Sequence, residues 1–196
     1  MGKFIQISAD FCLKMEISAV YSEGRVVVPA QNEANSLYQD GYGSLLSDSR
    51  LLTLRPFEAL YLTEREKISV IEEKSRERLD FQGLIWRFTD GDTNIWTRYV
   101  VYRDLRARGF VAKEGPGQGV DFLVYERGSY GKRTPRYLVH AVWEGAQEPL
   151  RHLGDMLTAA EDAGRILRLA VIDRRGEIVY YTLSEMNLQE PEENSF

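Results

Sequence analysis

The sequence predicts a mixed α/β (α+β) protein, with a small N-terminal mixed α/β domain followed by a more regular domain built on a mixed sheet. Short β-prone runs alternate with segments whose apolar residues recur at helical spacing, and Gly and Pro separate them. The 196 residues are 43% hydrophobic and 28% charged, which is enough to form a normal globular core. We expect the domains to span residues 1–88 and 89–183, followed by an acidic tail, 184–196.

The N-terminal segment is rich in β-prone residues. The runs at residues 4–7, 17–20 and 25–28 are separated by Gly24 and followed by Pro29. Such runs with turn residues between them predict a small antiparallel sheet.

The middle of the N-terminal half is more polar. Residues 30–48 are rich in Gly, Asn and Ser and predict a long loop. Pro56 then opens a predicted helix over residues 57–63, because proline is tolerated in the first turn. Residues 64–78 carry charges of mixed sign, which favours a solvated helix or connector.

A helix opens the second half. Asp92 or Thr93 can cap it, and Gly109 stands where a left-handed C-terminal cap belongs. The apolar positions that recur at helical spacing between these ends are Ile95, Trp96, Tyr99, Tyr102 and Leu105.

Strands and one more helix follow. We expect strands at residues 110–113, 120–125 and 137–143, with the glycine-rich residues 115–119 as a hairpin turn. A second helix runs from Pro149 to near Gly164, with one apolar stripe formed by Leu150, Leu153, Met156, Leu157 and Ala160. The last two strands, 166–172 and 177–183, are joined by a tight turn at residues 173–176. This order predicts a mixed sheet between helices.

Charge and cysteine content narrow the function classes. The net charge of −5 gives no global footprint for nucleic acid, so RNA binding requires a local basic patch or a basic partner. Cys12 is the only cysteine, which excludes an internal disulfide and a multi-cysteine zinc site. Because no apolar run approaches about 18 residues and no signal-peptide pattern is present, we expect a soluble, cytoplasmic protein.

The sequence carries no metal or cofactor signature, and we expect neither. His140 lies in an apolar run and His152 in a helix, so each is interpreted as structural or exposed. A restriction-nuclease-like metal site requires an Asp with an acid and a lysine on the adjacent strand. Asp121 is available, but residues 136–138 offer no carboxylate. The glycine-rich residues 115–119 lack the Lys-Ser/Thr of a phosphate-binding loop.

A basic cluster lies between two predicted strands. It consists of Arg127, Lys132, Arg133 and Arg136. Cations in such a loop can bind RNA phosphates and release counterions. An ordinary solvated loop is an equally good interpretation.

Five motifs carry a resemblance to a known family. The runs YVVYRDLRARGFVAKEG at residues 99–115 and GVDFLVYERG at residues 119–128 resemble motifs of the archaeal tRNA-splicing (tRNA-intron) endonucleases. YLVH at 137–140 and LAVID at 169–173 follow in the family's order and spacing. LRPFEALYL at 54–62 is similar to the helix of its N-terminal domain. The resemblance implies a restriction-endonuclease-like C-terminal domain.

The resemblance also implies a chemistry. The family cuts precursor tRNA without a metal, leaving a 2′,3′-cyclic phosphate and a 5′-hydroxyl. A tyrosine acts as general base, a histidine as general acid, and a lysine stabilises the charge on the phosphorane. Tyr125 occupies the tyrosine position, whereas Thr134 stands at the histidine position and Arg165 at the lysine position.

The replacements at the histidine and lysine positions differ in their expected effect on catalysis. Threonine cannot deliver a proton near neutral pH, while arginine keeps the charge without lysine's compact ammonium. His140 lies six residues beyond Thr134, roughly 20 Å along a regular strand, which is too far to replace the missing acid. An arginine that the family uses to grip a bulged base maps near Thr158, which is also not basic.

The resemblance further implies a role in an assembly. Structural subunits of α2β2 family members pair with the catalytic chain through the last strand, here with Ile178, Val179, Tyr180 and Tyr181. They dock on a second catalytic subunit through the acidic turn before it. Asp173 and Glu177 fit that pattern, but Arg174 and Arg175 depart from it, and an ordinary polar hairpin is the alternative.

Three functions therefore remain. The first is a non-catalytic structural subunit that binds precursor tRNA beside a catalytic tRNA-endonuclease subunit. The second is an active endoribonuclease with relocated residues, which uses Tyr125, Arg165 and another acid. The third is an RNA-binding or scaffold protein on the same fold.

Overall fold

The structure is a computed structural model that describes residues 16–46, 51–117 and 119–185. Within these residues the chain forms two mixed sheets and five helices, which confirms the predicted mixed α/β class. The strand predicted at residues 4–7, Cys12 and most of the predicted acidic tail lie outside the described residues.

The N-terminal sheet has six strands in the order β3-β4-β2-β1-β5-β6. They are β1 Ile17–Ser22, β2 Arg25–Val28, β3 Ser44–Leu45, β4 Leu52–Leu54, β5 Ile68–Glu72 and β6 Arg78–Leu79. β1 and β2 are antiparallel as predicted, but β1 and β5 are parallel, so the sheet is not purely antiparallel. Parallel pairing requires a crossover, and the chain provides one by passing through two helices before β5.

The loop predicted for residues 30–48 is wrong. Residues Gln31–Gln39 form helix α1, in which Ala34 and Leu37 are buried three positions apart. These two apolar contacts are sufficient to dock a helix whose other positions face solvent, and helices in proteins draw most of their stability from such packing.

The connector predicted for residues 64–78 is also wrong, because it contains β5 and β6. Ile68 and Val70 are buried on one face of β5, and the charges that dominate the composition lie mainly in the flanking turns. Helix α2, Pro56–Glu64, agrees with prediction. Helix α3, Phe81–Thr89, was not predicted; Asp80 caps it by accepting a hydrogen bond from the Gly83 amide at 2.7 Å.

The C-terminal domain follows the predicted order. Its elements are α4 Ile95–Ala107, β7 Val111–Gly117, β8 Val120–Tyr125, β9 Tyr137–Trp143, α5 Leu150–Asp162, β10 Ile166–Ile172 and β11 Ile178–Thr182. The sheet order is β11-β10-β9-β8-β7, with β9 and β10 parallel and the other pairs antiparallel. Three predicted details are corrected. α4 begins after Asn94, β7 continues to Gly117 through part of the turn predicted at residues 115–119, and the first residue of the α5 apolar stripe, Leu150, is 85% exposed.

One hydrophobic core joins the two sheets. The Phe57 ring on α2 lies 4.9 Å from the Tyr102 ring on α4 and 5.2 Å from the Phe122 ring on β8. Tyr61 packs edge-on against Tyr102 at 5.6 Å. The orientation of the N-terminal sheet is therefore fixed by aromatic packing on α4.

A buried ion pair crosses the same boundary. Glu58 on α2 is fully buried, and its carboxylate accepts hydrogen bonds from the amides of Arg55 and Gly43 at 2.8 and 3.0 Å. Lys113 on β7 places its ammonium 3.5 Å from Glu58 and donates to the carbonyl oxygens of Gly41 and Gly43. Burial raises the pKa of Glu58, although Lys113 and the two amides oppose the shift.

We expect Lys113→Met to lower the free energy of unfolding by about 3 kcal/mol, because the substitution leaves the Glu58 carboxylate buried without its cation. Urea unfolding at neutral pH measures the change. Arg78→Met, which removes an exposed arginine paired with Glu16, is the control and should cost no more than about 1 kcal/mol. Equal losses for the two variants would contradict this account of the buried pair.

Candidate functional site

The three positions expected to carry the chemistry are Tyr125, Thr134 and Arg165. They lie along the edge of the C-terminal sheet at which β8 ends and β9 and β10 begin. The Arg136 amide donates to the Val124 carbonyl at 3.0 Å, and the Ile166 amide donates to the Arg136 carbonyl at 3.0 Å. These bonds align the end of β8 with the starts of β9 and β10. Tyr125 is the last residue of β8, and Arg165 immediately precedes β10.

The surroundings of these side chains differ. Tyr125 is partly buried, and its ring meets the Tyr130 ring edge-on at 5.0 Å. Thr134 is exposed in the loop before β9. Arg165 is partly buried, and its amide donates to the Ala160 carbonyl at the end of α5. The edge thus presents a phenol, an alcohol and a guanidinium.

This set of groups lacks one function that RNA transesterification uses. A phenol can act as a general base, and a guanidinium can stabilise a phosphorane. Departure of the 5′-oxygen is assisted by a group that can give up a proton near neutral pH. An aliphatic hydroxyl, as in Thr134, does not supply it.

The nearest histidine along β9 is held in another network. The His140 ring is buried, with Nδ1 3.1 Å from an Asp121 carboxylate oxygen and Nε2 3.7 Å from Glu148. The same Asp121 oxygen accepts a hydrogen bond from the Ala141 amide at 2.8 Å, and its other oxygen lies 3.5 Å from Arg98. Asp121 is therefore fully engaged by groups of this chain.

The charges around His140 set its pKa. Burial by itself lowers the pKa of His140, but the hydrogen bond with Asp121 and the charges of Asp121 and Glu148 outweigh burial, so the pKa lies above its ordinary value. Glu148 also contacts His152 on α5. The His140 ring consequently links β8, β9 and the segment that leads into α5.

The basic loop after β8 is partly engaged within the chain. Arg136 donates to Glu126 at 2.6 Å, and the Arg127 guanidinium lies 5.3 Å from the centre of the Phe110 ring. Lys132 and Arg133 are exposed, and their amides donate to the Ser129 carbonyl. Arg127 and Arg136 are thus held by contacts within the chain, whereas Lys132 and Arg133 have exposed side chains.

Two further cations near this loop were not predicted from the sequence. Arg108 ends α4, and Arg168 lies on β10 between the buried residues Leu167 and Ala170. A charged residue inside an apolar strand is the sequence signal that identifies Arg168. No comparable signal marks Arg108 among the other arginines of α4.

The last hairpin combines a turn that is hydrogen-bonded within itself with a strand that has no neighbour on its outer side among the described residues. The Asp173 carboxylate accepts hydrogen bonds from the amides of Arg175 and Glu177, both at 2.8 Å, so it stabilises its own turn. Strand β11 lies at the edge of the sheet, where Val179 and Tyr181 are 48% and 53% exposed. Ile178 and Tyr180 face the core.

We expect the stabilising effect of His140 to depend on pH. Because its folded-state pKa is raised, the contribution is fully present below the unfolded pKa of about 6.5 and is lost as pH rises through the folded pKa. The melting temperature of His140→Gln should therefore fall further below the wild-type value at pH 6 than at pH 9. The wild type in the same buffers is the control, and an equal gap at both pH values would refute the linkage.

Comparisons with known proteins agree with this arrangement. Residues 17–85 match the family model of the tRNA intron endonuclease N-terminal domain, and residues 95–180 match that of the tRNA intron endonuclease catalytic C-terminal domain. The chain is 30% identical to a tRNA-splicing endonuclease of Methanococcus maripaludis over 175 residues, which cover 89% of this chain and 97% of the relative.

Other archaeal relatives extend the similarity. A tRNA-splicing endonuclease of Pyrococcus horikoshii is 29% identical over 86% of this chain and 96% of its own length. That of Methanococcoides burtonii is 34% identical over 83% of this chain, which corresponds to 45% of the longer relative. No helix within the described ranges is long and apolar enough to cross a membrane. The chain belongs to the tRNA intron endonuclease family.

Proposed function

We propose that this chain is a structural, non-catalytic subunit of a heterotetrameric α2β2 tRNA-intron endonuclease, in which it binds precursor tRNA and positions a catalytic partner subunit. The observation that carries the proposal is the exposed Thr134 at the sheet edge that also holds Tyr125 and Arg165. None of the side chains at these three positions can protonate the leaving oxygen near neutral pH.

The chemistry makes this absence costly. General acid or base catalysis contributes about 10²- to 10⁴-fold to a reaction rate, so a chain without the acid is a poor nuclease. Arg165 keeps a positive charge at the third position, but a planar guanidinium does not place its charge as a compact ammonium does. His140 cannot replace the acid, because it lies farther along β9 and is bound to Asp121.

The last strand supports the role in an assembly. β11 is an edge strand whose outer main-chain groups can pair with another strand. Val179 and Tyr181 add exposed apolar surface on the face opposite Ile178 and Tyr180. The turn at Asp173 supports docking less well, since its carboxylate is occupied by backbone amides.

Retention of Tyr125 favours one rival, an active endoribonuclease that recruits an acid from elsewhere. The two functions differ in what Tyr125 does. In the rival it is the general base, whereas in our proposal it is a packing residue against Tyr130.

We expect the purified chain alone not to cleave an intron-containing precursor tRNA. The same chain mixed with a homologous subunit that carries His and Lys at the two replaced positions should cleave it. Tyr125→Phe in the assembled enzyme should change the rate less than about twofold, whereas loss of a general base costs at least about 100-fold. The equivalent Tyr→Phe change in the catalytic subunit is the matched control. Robust cleavage by the lone chain would rule out the proposal.

We expect Tyr181→Glu to abolish co-purification with the catalytic subunit, because it places a charge in the apolar face of the pairing strand. Trp86→Glu, at an aromatic residue that is 69% exposed on α3, is the control and should leave the complex intact. Size-exclusion chromatography of co-expressed chains provides the measurement. A stable complex with Tyr181→Glu would show that β11 does not form the interface.

A further inference from the structure

A small cavity opens between α4 and the sheet, near the edge that holds Tyr125. Its volume is about 230 Å³. It is lined by three arginines, three aromatic residues and three aliphatic ones, which are Arg108, Arg127, Arg168, Phe110, Tyr137, Tyr180, Leu105, Val124 and Val139. Among the residues that the structure describes, no carboxylate lines the cavity, although the chain as a whole has a net charge of −5.

Arg168 is the central cation of this cavity. It lies on β10 opposite Val139 of β9 and Thr182 of β11, with its guanidinium 4.5 Å from the centre of the Tyr137 ring. Its Nε atom is buried without a hydrogen-bond partner. A buried N–H group without an acceptor is costly, so this atom requires an acceptor that the described part of the chain does not provide.

The other two arginines are held in place by aromatic rings. Arg127 lies over Phe110, and Arg108 lies 5.5 Å from the centre of the Tyr180 ring. Asp104 holds Arg108 from outside the cavity at 2.7 Å. Guanidinium groups fixed in this way are preorganised to bind an anion, because little side-chain freedom remains to be lost.

We propose that this cavity binds one phosphodiester group of an RNA strand. The size fits a single small group, since pockets for whole drug-sized ligands measure about 300–1,000 Å³. Planar guanidinium groups match the geometry of phosphate oxygens and bind them bidentately. The identification of the anion as RNA rests on the proposed function.

The location favours RNA over an acidic peptide. The cavity lies against the starts of β9 and β10 and the end of β8, the same strand ends that carry Tyr125, Thr134 and Arg165. The exposed Lys132 and Arg133 lie in the loop that joins the same strands. Val124 lines the cavity on the α4 face of the sheet, and Tyr125, the next residue of β8, points to the opposite face. A backbone that crosses these strand ends can place one phosphate among the three arginines and its neighbours near the loop.

The first test measures binding of the full chain to a fluorescently labelled, bulged RNA duplex across a salt series. Arg168→Gln and Arg127→Gln should each weaken binding about tenfold and lower the slope of log Kd against log salt by about one, as expected for loss of one phosphate contact. Arg25→Gln, at an exposed arginine on β2, is the matched control and should change neither value. Arg168→Lys keeps the charge and the apolar stem, so it should recover part of the affinity if the fold is intact.

The second test observes the cavity directly. The Arg168 Nε–Hε resonance of the full chain is followed by NMR during titration with the dinucleotide ApA and with a peptide of residues 184–196 as a carboxylate probe. A saturable shift with ApA, absent when Arg127 is replaced by Gln, supports the proposal. A shift with the acidic peptide alone, or unchanged RNA affinity in both variants, overturns it. Neither measurement requires cleavage, so failure of the reconstituted enzyme would count against the proposed function and not against the RNA-binding cavity.

Discussion

The buried contact between Glu58 and Lys113 is the constraint on which the arrangement of the two sheets depends. It joins α2 and the turn at Gly41 and Gly43 to β7, the first strand of the C-terminal sheet. Neither charge is stable alone in this position: burial raises the pKa of Glu58 and lowers that of Lys113, and each side chain opposes the shift of the other. The pair persists because two backbone amides donate to one Glu58 oxygen, two carbonyls accept from Lys113, and the ammonium faces the other Glu58 oxygen. Aromatic packing on α4 then excludes water from the boundary.

The C-terminal domain could be predicted in most of its elements from the sequence, whereas in the N-terminal domain only β1, β2 and α2 could. In β8 buried residues alternate strictly with partly buried ones, and Gly109 adopts a positive φ of 85° after α4, so local signals and tertiary packing agree. In α1 and β5 only two residues each are buried, and the surrounding polar residues conceal them. Short elements of this kind form because they pack against the rest of the protein, and the local sequence carries no signal of that packing.

The candidate site was likewise predicted from the sequence only in part. The family resemblance assigns the expected catalytic positions to Tyr125, Thr134 and Arg165, and backbone hydrogen bonds align the end of β8 with the starts of β9 and β10. The coupling of His140 to Asp121 and the grouping of Arg108 with Arg168 join residues far apart in sequence. Such contacts depend on strand register and helix packing, so neither could be inferred from residue types alone. As a result, a protein with a net charge of −5 groups Arg108, Arg127 and Arg168 beside one end of its C-terminal sheet.

The open side of β11 also has a consequence for how the protein must be made. Its outer main-chain N–H and C=O groups and the exposed side chains of Val179 and Tyr181 can pair with many different β-strands, with little selectivity for sequence. In the proposed assembly, a chain synthesised in excess of its partner subunit leaves this strand open to pairing with copies of itself and to aggregation. The proposed function therefore gives a physical reason for balanced synthesis of the two chains.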